Sequence, residues 1–124
     1  MKVFDTGAGT EGASWTGHQT SAVRADWSPD GLRLATTGND GQVRLWDAAT
    51  LRPLPLGGEG SGGQITAVAF SPDGALLAAP YGRGLVRVWR VADGRVAKDL
   101  REGEAVVWDL SWSPDGSRLA AGGQ

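Results

Sequence analysis

Polar and apolar residues alternate along this chain in short bursts, separated by Gly, Pro and Asp. Residues 22–28 are apolar at 23, 25 and 27, the period-two pattern of a half-buried strand. Residues 32–36 alternate again after a turn. Gly38-Asn39-Asp40-Gly41 is a hairpin signal, since such turns need positive φ at their centre. A strand is expected over 42–47 and a weaker one over 51–56. Pro53 and Pro55 cannot donate ladder hydrogen bonds, so the latter belongs at a sheet edge. Residues 57–63 read as a flexible loop. The same order then returns as strands 65–71, 76–80, 85–91 and 95–100, and a last pair begins at 106–113 and 118–121. At the N-terminal end, 2–5 and 13–16 are short strands around a Gly-containing loop. No helical periodicity occurs, and evenly spaced short strands predict an all-β fold.

The bursts are copies of one unit. Trp27-Ser28-Pro29-Asp30-Gly31 returns as Phe70-Ser71-Pro72-Asp73-Gly74 and as Trp112-Ser113-Pro114-Asp115-Gly116, at steps of 43 and 42 residues. Pro presets φ, Asp bonds its own backbone and Gly takes positive φ, so each copy is a tight turn. A second marker runs in phase: Val43-Arg44-Leu45-Trp46-Asp47 matches Val86-Arg87-Val88-Trp89-Arg90 and Lys2-Val3-Phe4-Asp5. A period of about 40–45 residues is that of a propeller blade.

These two motifs at this spacing, over nearly the whole chain, resemble the WD-repeat β-propellers. The resemblance implies blades of four antiparallel strands, a to d from the channel outward, with Ser-Pro-Asp-Gly ending strand a and Trp-Asp on strand c. It also implies a hydrogen-bonded structural tetrad, for which this chain has His18, Thr36, Asp40 and Trp46. The next blade has Ser61, Ala79 and Arg83 at the first three places and keeps only Trp89; the last has Gly103 and Ala121. One tetrad is therefore complete. The expected layout is one domain over 1–124: strands c-d at 2–17, blades at 22–57 and 65–101, and strands a-b at 106–122. That amounts to three blades divided at the b–c turn, too few for a closed ring. Completion by oligomerisation is the expectation: a homodimer of six blades is favoured, and a homotrimer of nine is the other closed form. The remaining alternative is an excerpt of a longer bacterial WD-repeat signalling protein.

Composition narrows the chemistry. The chain has 124 residues, 20 Gly, 6 Trp and no Cys, with a net charge of −2. Disulfides, thiolate catalysis and Cys-ligated metals are thereby excluded. The charge supplies no footprint for nucleic acid or an anionic membrane. No apolar run reaches the roughly 18–20 residues of a spanning helix, and no secretory leader is read at the start; a cytoplasmic protein is expected. Arg outnumbers Lys ten to two, which fits a GC-rich bacterial coding sequence.

His18 is the lone histidine. It could be a general base or metal ligand, but the in-phase Thr, Asp and Trp explain it as a tetrad member. Asp30, Asp73 and Asp115 recur in turns and read as turn formers, not catalytic carboxylates. No Ser-His-Asp set, phosphate loop or metal site emerges, so neither catalytic residues nor a cofactor are expected. Arg44, Arg87 and Arg90 read as solvated strand faces. Arg24, Asp26 and Asp109 are the charges on a strands, an ion-pair group before they are a site. The two aromatic series, Trp27/Phe70/Trp112 and Phe4/Trp46/Trp89, read as inter-blade core. Family resemblance puts a partner-binding face on the d–a and b–c loops, with candidates Gln19, Tyr81, Arg83, Glu102, Glu104 and Trp108. Trp108 has an equal reading as a blade or subunit contact. The function read from all this is a non-catalytic protein–protein interaction scaffold that assembles into a ring. A purely structural homo-oligomeric propeller and a propeller enzyme or lectin are the rivals.

Overall fold

The computed structural model describes residues 2–5, 10–14, 22–58 and 65–123. Every regular element among them is a β-strand, as the alternating pattern requires. β1 (Lys2–Asp5) and β2 (Thr10–Ser14) form an antiparallel pair. β3 (Ala22–Trp27), β4 (Arg33–Gly38), β5 (Val43–Asp47) and β6 (Pro53–Leu54) form a four-stranded meander in sequence order. The third sheet contains β7 (Ala69–Phe70), β8 (Leu76–Pro80), β9 (Arg83–Arg90), β10 (Val96–Trp112) and β11 (Leu119–Gly123).

β10 serves two blades. Its first half pairs with β9, from Val96↔Trp89 to Arg101↔Leu85, and its second half pairs with β11, from Val107↔Gly123 to Trp112↔Leu119. The pattern predicts two strands with a break after 100. The structure instead keeps one strand of 17 residues with a register shift between Arg101 and Val106. An irregularity of this kind bends a strand without ending it. The outer strand of one blade thus runs directly into the inner strand of the next. The inner strands lie side by side, β3 beside β7 and β7 beside β10, which is the radial arrangement of propeller blades.

Two strands are shorter than their patterns suggest. β6 is held to two residues, Pro53 and Leu54, and ends before Pro55. β7 begins only at Ala69, although Ile65 and Ala67 are buried. Ile65 N–H instead donates to Gly38 O of the preceding blade, at 3.4 Å.

Among the described residues two clusters form the core, one on each face of the β7–β9 blade. In the first, Ala35, Val43 and Leu45 meet Ile65, Leu77, Ala79, Tyr81 and Trp89. In the second, Ala78, Val86 and Val88 meet Leu110, with Val107, Trp112 and Leu119 packed against them. Alternation produces this directly. Leu77 and Ala79 of β8 face the first cluster, whereas Ala78 between them faces the second.

Candidate functional site

The repeated turns are built from side-chain oxygens. Ser28 Oγ donates to Asp30 Oδ1 at 2.6 Å, and Asp30 Oδ1 accepts the Leu32 N–H at 2.9 Å. Ser28 Oγ also accepts the Arg33 N–H at 3.0 Å. The second copy repeats these bonds with Ser71, Asp73, Ala75 and Leu76, and the third with Ser113, Asp115, Ser117 and Arg118. The turn glycines have φ of 74°, 75° and 75°. Donated hydrogen bonds favour the ionised carboxylate. Asp30 and Asp73 are held below the ordinary value, first by the serine hydroxyl two residues before each. Asp115 is lowered to about 2, first by the Ser117 N–H and then by the Ser113 and Ser117 hydroxyls.

A pH dependence follows. The folded chain keeps these carboxylates ionised at lower pH than the unfolded chain does. Their contribution is complete above the ordinary value of 3.8 and, for Asp115, is lost as pH falls through about 2. Urea midpoints measured between pH 5 and pH 2 should therefore converge for the parent and Asp115→Asn as the pH drops. A gap that stays constant would show that the turn carboxylate is not the titrating group.

Three of the tetrad residues are described, and His18 lies outside the described residues. Trp46 Nε1 donates to Thr36 Oγ1 at 2.9 Å, with Thr36 fully buried. Asp40 Oδ1 accepts the Gln42 N–H at 3.1 Å, and its other oxygen lies 4.0 Å from Arg44 Nη2. Asp47, the Asp of the Trp-Asp pair, accepts the Ala49 and Thr50 N–H groups at 2.9 and 3.0 Å and closes the turn after β5.

The second blade solves the same problem differently. Position 79 is Ala, so Trp89 lacks the counterpart of the Thr36 hydroxyl. Its Nε1 donates instead to Gly57 O of the preceding blade at 2.8 Å. Gly57 N–H in turn donates to Gly94 O at 2.7 Å. The start of the stretch read as a flexible loop is thus pinned between blades, while 59–64 lie outside the described residues. Two more bonds cross between inner strands: Phe70 N–H to Asp26 Oδ2 at 3.0 Å, and Trp112 Nε1 to Ala69 O at 3.1 Å. Asp26 is thereby engaged across the blade boundary. Asp109 Oδ1 accepts the Leu110 N–H at 2.9 Å.

The partner-face candidates separate by position. Gln19 lies outside the described residues, as do the side chains of Arg83, Glu102, Glu104 and Trp108. Backbone register puts Arg83 opposite Val106, in the middle of the stretch that carries Glu102, Glu104 and Trp108. Tyr81 belongs to the core. It is 8% exposed and meets Trp89 edge-on, with ring centroids 5.6 Å apart. The Arg87 guanidinium covers its ring at 4.5 Å, and a bidentate pair with Asp99 at 2.9 and 3.1 Å holds that guanidinium in place. Arg87 was expected on a solvated face; the stack half-buries it. Arg90 is exposed and pairs with Asp93 at 3.0 Å.

The aromatic series also divide. Trp46, Phe70 and Trp89 are buried, but Trp27 is 47% exposed and Leu32 beside it 63%. Trp27, expected as inter-blade core, is therefore a surface residue in this chain. Leu100 and Val106 on β10 are exposed as well. Among the described residues no group of three or more His, Asp or Glu could hold a metal ion, and no helix is long and apolar enough to cross a membrane.

Comparison with known proteins agrees with the strand order. Residues 9–47 match the family described as WD domain, G-beta repeat, and residues 51–114 match the anaphase-promoting complex subunit 4 WD40 domain. Coronin-7 of Rattus norvegicus is 45% identical over 56 residues, covering 45% of this chain and 6% of that protein. Coronin-7 of Homo sapiens is 34% identical over 67 residues, covering 49% and 7%. Protein SEH1 of Arabidopsis thaliana is 38% identical over 52 residues, covering 35% and 16%. The chain thus spans only a small part of the length of these curated relatives.

Proposed function

The chain belongs to the WD-repeat family, and on that premise we propose that it is a non-catalytic module that holds other proteins. WD-repeat propellers are generally scaffolds, and a cytoplasmic setting is part of the proposal. The observation that carries it is the register of Arg83 against Val106. That pairing gathers a cation, two acids and a tryptophan onto one short stretch beside a rigid core. Tyr81, two residues before Arg83, is held in that core by Trp89 and Arg87. Arg and Trp are the usual anchors of protein interfaces. The carboxylates of the Ser-Pro-Asp-Gly turns are occupied by their own backbones, which favours structural work for them.

The experiment is affinity capture with the purified chain, quantified across variants. Trp108→Ala and Arg83→Glu should each weaken retention of a captured partner by about tenfold or more, about 1.4 kcal/mol. Asp30→Lys and Asp73→Lys should lower the unfolding midpoint and leave retention by the folded fraction unchanged. The reverse pattern would move the site to the opposite face.

A second reading is self-association, in which a homodimer is favoured over a homotrimer. The exposure of Trp27 and Leu32, which line one cleft, and of Leu100, which lines another, supports it.

A further inference from the structure

A cleft of about 450 Å³ lies where β10 passes from one blade to the next, lined by Val86, Leu100, Arg101, Val107, Leu119 and Ala121. Moved back by one repeat, of 43 residues for the first three and 42 for the rest, these positions become Val43, Gly57, Gly58, Ile65, Leu77 and Ala79. Val43, Ile65, Leu77 and Ala79 belong to the cluster that surrounds Trp89, and Gly57 accepts the Trp89 indole N–H. The cleft is therefore the repeat of the Trp89 seat. In the first interface an aromatic residue fills that seat from a strand paired with β8, where Trp89 lies opposite Leu77. The counterpart of β8 at the cleft is β11, the outermost strand of its sheet.

The chain contains a strand of the required pattern. In β1, Lys2-Val3-Phe4-Asp5, Phe4 holds the repeat position of Trp46 and Trp89. β1 pairs antiparallel with β2 as β5 pairs with β6. The registers of the two complete blades, Leu34↔Trp46 and Leu77↔Trp89, set Phe4 opposite Leu119 and Val3 opposite Ala120. The same registers set Asp5 opposite Arg118, which repeats the Arg33↔Asp47 pair of the first blade with its charges in the same order. A second copy of the chain presents this same strand.

We propose that this cleft is the docking site for a second copy of the chain. β1 of one copy adds to β11 of the other, and Phe4 enters among Val86, Leu100, Val107 and Leu119. The proposal rests on the self-association reading and names its joint. The same arrangement covers Trp27. Its repeat counterpart Trp112 donates to Ala69 O of the preceding blade, and in the joined pair the second copy supplies that preceding inner strand.

The chain has no cysteine, so introduced thiols report the joint cleanly. Val3→Cys and Ala120→Cys chains are made separately, mixed and oxidised, while light scattering follows the molar mass. The Val3–Ala120 disulfide should form about tenfold faster than a Val3–Ala121 disulfide, because a one-residue slip turns the side chain to the other face. Phe4→Ala should raise the dissociation constant by about tenfold or more, the scale of an aromatic anchor. Self-association without register-selective linkage would overturn this joint and leave the self-association reading standing. A folded monomer at tens of micromolar that forms no linkage would overturn both.

Discussion

Trp89→Ala should destabilise the chain by roughly 3–5 kcal/mol, the range for removing a buried large aromatic. Trp89 is 1% exposed and joins two blades. Its ring packs in the cluster with Val43, Leu45, Leu77 and Tyr81, and its indole N–H holds the Gly57 carbonyl. Truncation opens a cavity and also leaves that carbonyl without its donor. Small domains have about 5–15 kcal/mol of stability in all, so the variant should unfold at markedly lower urea. Trp89→Phe keeps one aromatic ring and removes the N–H together with the rest of the indole. It should therefore cost less than Trp89→Ala, about 1 kcal/mol for the hydrogen bond plus that of a smaller cavity. Urea midpoints at constant slope give both values. A loss under about 1 kcal/mol for Trp89→Ala would mean that the seat collapses without cost and that blade contact does not depend on this residue.

Gly94→Ala should be the second most damaging substitution, although the change is a single methyl. Gly94 has φ of +71°, where an L-residue costs about 1–2 kcal/mol. A Cβ there would also overlap the Pro55 carbonyl oxygen and carbon, which are backbone of the neighbouring blade and cannot swing aside. Relieving the overlap stretches the Gly57 N–H to Gly94 O bond of 2.7 Å, worth about a further 1 kcal/mol. Gly82→Ala is the control. Its φ is +93°, but nothing lies within 4 Å of its Cβ position, so only the conformational cost remains. Thermal unfolding of the two variants side by side checks the difference. Equal losses would show that the contact between Gly94 and the preceding blade carries no energy.

Most of the framework was legible because its causes are local. Each Ser-Pro-Asp-Gly turn closes on atoms within five residues of its serine, and the three copies repeat the same bonds to within 0.1 Å. Pro, Asp and Gly specify that geometry wherever the segment sits. Parity likewise decides the faces of β8, where Leu77 and Ala79 turn to one cluster and Ala78 to the other. The Trp46–Thr36 bond was implied by the family resemblance, and both residues lie within one blade.

What spans blades was decided by the tertiary structure. No local rule states that Trp89, lacking a hydroxyl at position 79, will find the Gly57 carbonyl 32 residues away. The continuity of β10 is of the same kind. The pattern reads as two strands, 95–100 and 106–113, yet pairing with β9 on one side and β11 on the other carries the strand through. Tyr81 beside Gly82 reads as a loop residue, and only the seat between Trp89 and Arg87 buries it. Trp27, Phe70 and Trp112 share one position in the repeat, but their exposure differs with what packs against each. Sequence determined the shape of each blade through bonds closed over a few residues, and packing between blades determined which copies of a repeated position became core, link or surface.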